Sequence, residues 1–302
     1  MDTTGGPMTD GTDPAIDVVV RERRQLLNLA YRLLGSLAEA EDAVQETYAR
    51  WYGLSDEGRR GIGNPGAWLT RVAGRVCLDQ LRSARAARET YVGDWVPEPL
   101  PEPADPADPA SQVTLDESVT MAFLVVLDAM TPAERVAFVL HDVFRYPFAE
   151  VAEVVGRTPA ACRQLATSAR RRIGAAPAAV SGAAGQAAVV RDFRRAWEAK
   201  DIAALVGLLD PDVVAVADGG GVVPAHREPI RGGEQVARAY VEISRVAPGV
   251  TLLERTVNGL PGLVARKDGA TLTVFAFDVV AGRITRIWAV RNPAKLRTWA
   301  PA

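Results

Sequence analysis

Residues 131–174 read TPAERVAFVLHDVFRYPFAEVAEVVGRTPAACRQLATSARRRIG, and this stretch decides the kind of fold. Thr131 suits a helix N-cap, Pro132 suits the first helical position, and Glu134 completes a capping box. Behind them come a short amphipathic segment, a tight turn and an arginine-rich segment: PFAEVAEVV, GRTP and AACRQLATSARRRIG. A short helix, a glycine turn and a second, basic helix form the layout of a helix-turn-helix.

Polar side chains on the second of these helices are candidates for DNA contacts. Residues 157–172 hold five Arg and no acid. Arg and Gln read purine edges in the major groove, and further Arg and Ser side chains bind phosphates. The alternative is a solvated basic face on a structural helical hairpin, but the cap, the turn and the charge together favour DNA. The candidate residues are Arg163, Gln164, Thr167, Ser168, Arg170 and Arg171.

Composition indicates a globular protein with more than one domain. A length of 302 residues suggests about two or three domains, and 48% hydrophobic with 24% charged residues is not typical of a disordered chain. No apolar run approaches the roughly 18 residues that span a bilayer, and the N-terminus lacks a secretion signal, so we expect a cytoplasmic protein without a membrane partner. Cys77 and Cys162 form no CxxC pair and the chain has two His, so we expect no disulfide framework, metal or cofactor.

Linkers divide the chain. Residues 93–109 contain six prolines among acidic residues, which predicts an extended, polyproline-like spacer. Glycine and turn-forming residues at 53–66 predict a loop within the first helical domain. In chain order we expect a disordered tail (1–17), a helical domain (18–92), an acidic proline-rich linker (93–112), the helix-turn-helix domain (113–174), a second linker (175–185) and a final domain (186–302).

The final domain is predicted to be α+β. Two helical segments, a strand (DVVAVAD, 212–218) and a third helical segment come first. Several strands separated by NG, DG and AG turns then predict an antiparallel meander. Within it, residues 215–223 read AVADGGGVV. This glycine run lacks the Gly-Lys-Ser/Thr ending of a phosphate loop and the spacing of a dinucleotide motif. We interpret it as a turn in which Asp218 caps the backbone or accepts a hydrogen bond across an interface.

Three sets of motifs carry a family resemblance. AEDAVQETYARWY (40–52) followed by NPGAWLTRVAGRVCLDQLRSARAARE (64–89) resembles conserved region 2 of the extracytoplasmic-function (ECF) RNA polymerase sigma factors, and residues 131–173 resemble region 4. WVPEPL (95–100), DGGG (218–221) and NPAKL (292–296) resemble signature elements of the subgroup with a C-terminal SnoaL-like domain. The resemblance implies two all-α domains followed by an α+β cone, an α+β multidomain fold overall.

The resemblance also implies partners. It points to an alternative sigma factor that binds the β′ clamp and β flap of core RNA polymerase and directs it to promoter DNA. Asp42, Gln45 and Glu46 match positions that grip the β′ clamp, and Arg163, Gln164, Thr167 and Ser168 match positions that read the minus 35 element. The helix after loop 53–66 matches the minus 10 element, where cations follow a melted strand. The candidate cations are Arg71, Arg75, Arg82 and Arg85.

Two positions in this helix need separate interpretation. Gly74-Arg75 stands where the family usually has Arg-Asn, which leaves the promoter bases that are read undetermined. Trp68 could stack on a base, but its helical spacing with Leu69 and Val72 favours a place in the core.

For the final domain the resemblance implies the cone shared with polyketide cyclases and ketosteroid isomerases, with an apolar pocket. Asp218, His226, Tyr240 and Asp278 are its acid–base candidates, but they form no recognisable pair, so we expect no enzyme. An unidentified small ligand in the pocket stays open. We expect the domain to regulate the sigma domains in cis by docking on regions 2 and 4 or on the linker between them. The alternative is a DNA-binding regulator fused to a small-molecule-binding or cyclase/isomerase domain. The candidate regulatory residues are Trp95, Pro97, Asp218, Gly219, Gly220, Gly221, Asn292, Pro293, Lys295 and Leu296.

Overall fold

The protein is described by a computed structural model, which covers residues 14–89, 91, 93–102, 119–175 and 183–300. Two all-α domains are followed by a domain with a six-stranded sheet. The chain is therefore an α+β multidomain protein, which confirms the predicted fold class.

The first domain consists of four helices around an apolar core. Its helix α1 begins four residues inside the predicted tail, with a proline at the first helical position, which suits the start of a helix. The predicted loop 53–66 contains the short helix α3, because Ser55 caps it by accepting a hydrogen bond from Gly58 N at 3.1 Å. Trp68 is half-buried and its ring lies 5.3 Å from that of Trp51, which agrees with a place at the core. The helices are α1 Pro14–Leu34, α2 Leu37–Tyr52, α3 Asp56–Arg60 and α4 Pro65–Glu89.

The second domain contains the predicted helix-turn-helix. Thr131 and Glu134 form the capping box that the sequence predicts. Gly156 adopts a left-handed conformation with φ of 72° and ends the first helix of the motif. The helices are α5 Met121–Asp128, α6 Pro132–Phe138 with a π-helical turn Val139–Val143, α7 Phe148–Val155 and α8 Pro159–Ala175.

These two helical domains share one apolar core rather than standing apart. Helix α4 packs on α7, and Gly74 provides the space: a Cβ at this position would lie 3.0 Å from Val154 Cγ1. Arg135 of α6 also donates a hydrogen bond from Nη1 to the carbonyl oxygen of Leu33 at 2.8 Å. The departure from the family at position 74 therefore lies at a contact between the two domains.

The third domain is a six-stranded sheet packed against helices. Its strand order is β2-β1-β6-β5-β4-β3. Strands β3 to β6 form the predicted antiparallel meander, but β1 pairs with β6 in parallel, so the sheet is mixed and not wholly antiparallel as expected. The first helix, α9, begins inside the predicted linker 175–185. The elements are α9 Ala183–Glu198, α10 Ile202–Leu208, β1 Leu209–Asp218, β2 Ile230–Arg231, α11 Gly233–Val246, β3 Thr251–Val257, β4 Leu260–Lys267, β5 Ala270–Val280 and β6 Arg283–Val290, then 3₁₀ turns Pro293–Lys295 and Arg297–Trp299.

The described part of the acidic, proline-rich linker is packed against other domains. Residues 93–102, hereafter the docked segment, lie between the first and third domains, and residues 96–100 are buried. Val96 joins the apolar cluster formed by one face of the sheet, and Leu100 joins the core of the helical domains. Apolar side chains between the prolines supply the burial that an acidic polyproline pattern alone does not predict. Residues 103–112 of the predicted linker lie outside the described residues.

An aromatic group fills the core of the third domain. Phe193 is fully buried and its ring lies 5.5 Å from the rings of both Tyr240 and Phe277. Trp197 and Phe275 extend the group at a ring distance of 5.4 Å. These side chains hold α9 and α11 against the sheet.

Replacement of Phe193 by Ala is expected to lower the free energy of unfolding by about 3–5 kcal/mol, because the lost ring leaves a cavity in a packed core. Urea unfolding followed by circular dichroism measures the change. Val222→Ala is the control, since Val222 is 74% exposed, and it should change stability by no more than about 0.5 kcal/mol. A similar small change for Phe193→Ala would contradict this packing.

Candidate interdomain site and nucleic-acid surfaces

Asp218, at the end of β1, is a buried carboxylate shared between domains. Its side chain accepts hydrogen bonds from the Tyr91 hydroxyl at 2.6 Å, from Val96 N at 3.0 Å and from Gly220 N at 2.9 Å. The ammonium of Lys295 lies 2.7 Å from Oδ2. Asp218 is 1% exposed, so this carboxylate is stable only with such partners.

Lys295 completes the arrangement from the C-terminal turn. It is 7% exposed, donates to the Val96 carbonyl oxygen at 2.6 Å, and lies over the Trp95 ring at 4.1 Å from the ring centroid. A buried ammonium needs a counter-charge and acceptors, and it gains from an aromatic face. Here Asp218 supplies the charge, and the docked segment supplies the carbonyl and the ring.

The glycines after Asp218 make the close approach to the C-terminal turn possible. A Cβ on Gly220 would lie 2.5 Å from Cγ of Asn292, and one on Gly219 would overlap the Val223 carbonyl oxygen. The amide of Asn292 donates to the Tyr91 hydroxyl at 3.0 Å. The glycine run therefore allows two loops to meet without side chains between them.

A second set of contacts holds the docked segment at its other end. Asn258, in the turn between β3 and β4, exchanges hydrogen bonds with the backbone of Leu100 at 2.9 and 3.2 Å. The same side chain donates to the Tyr31 hydroxyl at 2.8 Å, and Tyr31 donates to the Glu98 carbonyl oxygen at 2.7 Å. One hairpin turn of the third domain thus contacts both the docked segment and α1.

The carboxylate of Glu98 connects the docked segment to the start of α2. It accepts hydrogen bonds from Leu37 N at 2.8 Å and from the Ser36 hydroxyl at 3.3 Å. Burial raises the pKa of Glu98 above its ordinary value. Nearby, the indole of Trp299 donates to the Pro99 carbonyl oxygen at 2.8 Å.

The structure brings the predicted regulatory residues together. Pro97 is buried and packs next to Gly35, and Pro293 begins the 3₁₀ turn that carries Lys295. Leu296 belongs to the apolar cluster that also contains Val96. The sequence reasoning did not identify five further members: Tyr31, Tyr91, Glu98, Asn258 and Trp299. Glu98 lies within the quoted WVPEPL motif, whereas Asn258 resembled an ordinary hairpin residue.

Two of the predicted minus 10 arginines contact the helix-turn-helix domain. Arg71 pairs with the carboxylate of Glu153 at 2.7 Å, and Arg75 donates to the Glu153 carbonyl oxygen at 2.9 Å. Arg82 is exposed beside Asp79 at 3.3 Å. The side chain of Arg85 lies outside the described residues. In this arrangement α7 covers the part of α4 that carries Arg71 and Arg75.

The predicted minus 35 residues lie on α8, and some of their side chains are exposed and unbonded whereas others are engaged within the domain. Gln164 and Arg171 are exposed and make no side-chain hydrogen bond to the described residues. Arg170 pairs with Asp142 at 2.7 Å, and Arg163 lies over the Phe148 ring. The remaining two hydroxyls are used within the domain: Ser168 donates to Glu134 at 2.7 Å, and Thr167 donates to the Arg163 carbonyl oxygen.

The predicted polymerase contacts form an exposed face of α2. Asp42, Gln45 and Glu46 are exposed, whereas Val44 and Trp51 on the other face are buried. Glu46 also pairs with Arg50 at 3.0 Å. The geometry leaves the two other side chains accessible.

The acid–base candidates of the third domain are not brought together. A cavity of about 690 Å³ is lined by His226 and Tyr240, but neither Asp218 nor Asp278 reaches it. Burial raises the pKa of Asp278, which lies on β5 away from the cavity.

Among the residues that the structure describes, no group of His, Cys, Asp or Glu could hold a metal ion. The described helices are all too short or too polar to cross a bilayer.

Comparison with known families identifies the two helical domains. Residues 18–87 match the family model Sigma-70 region 2. Residues 120–173 match the model Sigma-70, region 4. The matched ranges contain nearly all of α4 and of the helix-turn-helix, which are the elements that carry the candidate arginines.

Similarity to known proteins extends through the third domain. The ECF RNA polymerase sigma factor SigJ of Mycobacterium tuberculosis is 41% identical over 286 residues, which cover 90% of each chain. A probable ECF sigma factor of the same organism, SigI, is 34% identical over 94% of this chain and 95% of its own. The crystal structure of SigJ matches with a TM-score of 0.75 at 35% identity, over 95% of this chain and 99% of that chain.

Replacement of Lys295 by Met should release the docked segment, because the Asp218 carboxylate is then left buried without its counter-charge. Loss of one partner of a buried pair costs about 3–5 kcal/mol. Hydrogen exchange measures the effect at the amides of Val96 and Glu98, which should lose protection.

Arg238→Met is the matched control, since it removes an exposed ion pair with Glu234 that is worth roughly 0–1 kcal/mol. Unchanged protection at both amides in Lys295→Met would contradict the importance of the pair.

Proposed function

The chain belongs to the ECF group of RNA polymerase sigma factors, and we propose that its SnoaL-like C-terminal domain controls the sigma domains in cis by holding the docked segment. As a sigma factor the chain binds core RNA polymerase and promoter DNA. The observation that carries the proposal is the ammonium of Lys295, which joins Asp218 of the third domain to the Val96 carbonyl of the docked segment.

These contacts define a closed state, in which the third domain holds the docked segment and the first domain together. The docked segment connects the two helical domains along the chain, and it is held at one end by Lys295 and at the other by Asn258. Asn258 also bonds to Tyr31 of α1. The third domain therefore restrains the first domain and the segment that leads to the second.

Promoter binding requires these restraints to loosen. The minus 10 and minus 35 elements are separated by roughly 25 base pairs, or about 85 Å of B-form DNA at 3.4 Å per base pair. In the closed arrangement α4 and α7 are in direct contact, and Arg71 and Arg75 are bonded to Glu153. The two domains must separate before each can reach its own element, and separation also frees the arginines for phosphates.

Within this function we assign roles to the candidate surfaces. Exposed polar groups on α2, Asp42, Gln45 and Glu46, are proposed to bind the β′ clamp, and the second domain to bind the β flap. The exposed side chains of α8, chiefly Arg163, Gln164 and Arg171, are proposed to contact the minus 35 element. Ser168 is bonded to Glu134 in the closed arrangement, so we assign its hydroxyl to the stability of the capping box. We expect no catalytic turnover by the third domain.

Transcription by Lys295→Met should exceed that by the wild-type chain, because the closed state loses its main interdomain ion pair. Each ~1.4 kcal/mol of closed-state stability removed raises the open population about tenfold while the closed state predominates. Run-off transcription with core polymerase measures the change. A chain that ends at Arg291, which lacks Lys295 but keeps β6, should behave in the same way.

Arg238→Met again serves as the control and should transcribe at the wild-type rate. Wild-type activity of Lys295→Met, in a variant whose docked segment is shown by hydrogen exchange to be released, would defeat regulation in cis.

Replacement of Arg163 by Ala should relax base preference at the minus 35 element by about 1–3 kcal/mol per lost bidentate contact. Arg172, which is exposed near the end of α8, is assigned to a phosphate contact, and Arg172→Ala is the matched comparison because loss of a phosphate contact weakens binding to all sequences alike. Binding titrations of the holoenzyme on promoter variants measure both effects. Equal losses on every promoter variant for Arg163→Ala would contradict the base-reading role.

A further inference from the structure

The cavity of the third domain owes its volume to small side chains on the sheet. Alanines from three strands line it where larger residues would fill a core, and aromatic side chains from α9, α11 and β5 form an aromatic wall beside them. Its volume of about 690 Å³ lies in the range of small-molecule sites, roughly 300–1,000 Å³. The alanines are Ala215 and Ala217 of β1, Ala265 of β4 and Ala289 of β6, and the aromatic residues are Trp197, Tyr240 and Phe275.

Apolar side chains also surround the entrance. Ile243, Val246 and Leu272 line the cavity and are among the few large hydrophobic side chains that are exposed in the described part of the chain. Val246 is the most exposed of the three, at 71%. Exposed apolar groups concentrated beside a cavity are typical of a ligand entrance.

A tyrosine in the wall offers a hydroxyl for hydrogen bonding. Tyr240 is 3% exposed and lines the cavity, yet its hydroxyl makes no hydrogen bond to any described residue. Burial raises the pKa of this phenol above its ordinary value, so it remains a neutral hydrogen-bond donor. A hydroxyl held in the wall of a cavity is placed to donate a hydrogen bond to an acceptor of a bound molecule.

Two cationic side chains line the cavity, the exposed Lys200 and the half-buried Arg291. Arg291 directly follows β6 and lines the cavity, as does Ala289 two residues before it. Arg291 is half-buried and donates to the Pro224 carbonyl oxygen, and no carboxylate of the described residues pairs with it. Desolvation lowers the pKa of this guanidinium. Glu198, the acid that lines the cavity, is already bonded to Arg194 at 2.9 Å.

We propose that this cavity binds an amphipathic organic anion, an apolar molecule with one carboxylate or sulfonate group. The apolar part lies against the alanines and the aromatic wall, and Arg291 pairs with the anionic group. Tyr240 donates a hydrogen bond to an acceptor atom of the same molecule. This binding site goes beyond the proposed function and does not depend on regulation in cis.

Two fluorescent probes with the same aromatic frame test the proposal on the full-length chain. Anilinonaphthalene sulfonate carries the anionic group, and N-phenyl-naphthylamine lacks it. The wild-type chain should bind the sulfonate probe roughly tenfold more tightly than the neutral probe, because a charge-assisted contact to a half-buried guanidinium favours the anion.

Variants at the cavity locate the binding. Arg291→Gln should abolish the preference for the sulfonate while leaving binding of the neutral probe unchanged. Arg255→Gln, at an exposed position on β3, is the control and should retain the preference. Tyr240→Phe, which keeps the ring, should weaken binding of the sulfonate probe by a smaller factor. Ala265→Phe, which fills the cavity, should weaken binding of both probes.

Three results would overturn the proposal: equal affinity for the two probes in the wild-type chain, a preference retained in Arg291→Gln, or unchanged binding of both probes in Ala265→Phe. Near-ultraviolet circular dichroism of each variant establishes that the chain is folded. If Ala265→Phe fails to fold, the comparison of Arg291→Gln with Arg255→Gln still decides the question.

Discussion

The buried ammonium of Lys295 is the interaction on which the docking of the third domain to the linker of the sigma domains depends. A charge at 7% exposure is stable only when its partners are complete, and those partners come from separate parts of the chain. Asp218 ends a strand of the third domain, whereas Val96 and Trp95 belong to the docked segment. Loss of any one partner leaves the remaining polar groups buried and uncompensated. The contact is therefore cooperative, which suits a transition between two states and not a gradual loosening.

The composition of the docked segment explains how other domains recognise it. Prolines lack a backbone N–H, so a proline-rich segment offers mainly carbonyl oxygens for hydrogen bonds. Four carbonyls in this segment accept bonds from side chains or backbone groups of other domains, and the prolines reduce the conformational entropy that docking removes. An acidic, proline-rich stretch can thus be bound specifically without forming a strand of the sheet. The four carbonyls belong to Val96, Glu98, Pro99 and Leu100.

The arginines proposed to contact the promoter illustrate competition between intramolecular and nucleic-acid contacts. Arg71 pairs with Glu153 and Arg170 pairs with Asp142, so carboxylates occupy positions where phosphates could bind. Both pairs are partly exposed, and such pairs contribute little stability. DNA can therefore displace these carboxylates at small cost, whereas the buried contacts around Lys295 resist opening. The apolar contact between Gly74 and Val154 adds to this resistance.

Local chemistry made much of the fold predictable. Thr131, Glu134 and Gly156 specify a cap and a turn through their own hydrogen bonds and backbone preference, and the NG, DG and AG turns specify the hairpins. The motifs WVPEPL, DGGG and NPAKL indicated the segments of the site, but not how their atoms meet. Asn258 and Tyr31 could not be assigned to the site from the sequence. Asn258 resembles an ordinary turn residue and Tyr31 an ordinary core residue, and their roles depend on a segment that is distant along the chain. The parallel pairing of β1 with β6 also could not be predicted. These are the first and last strands of the third domain, and all its other strands lie between them along the chain.

The sequence by itself determined the two helical domains, the helix-turn-helix with its arginines, and the α+β class of the third domain. These features depend on periodicity, capping and turn residues, which act over a few positions. Only the tertiary structure decided that the acidic linker is docked, that Lys295 is its counter-charge, and that Arg291 and Tyr240 meet in one cavity. Those outcomes depend on burial: the partners lie up to about two hundred residues apart along the chain, and their pairing is determined by the packing that excludes water from them.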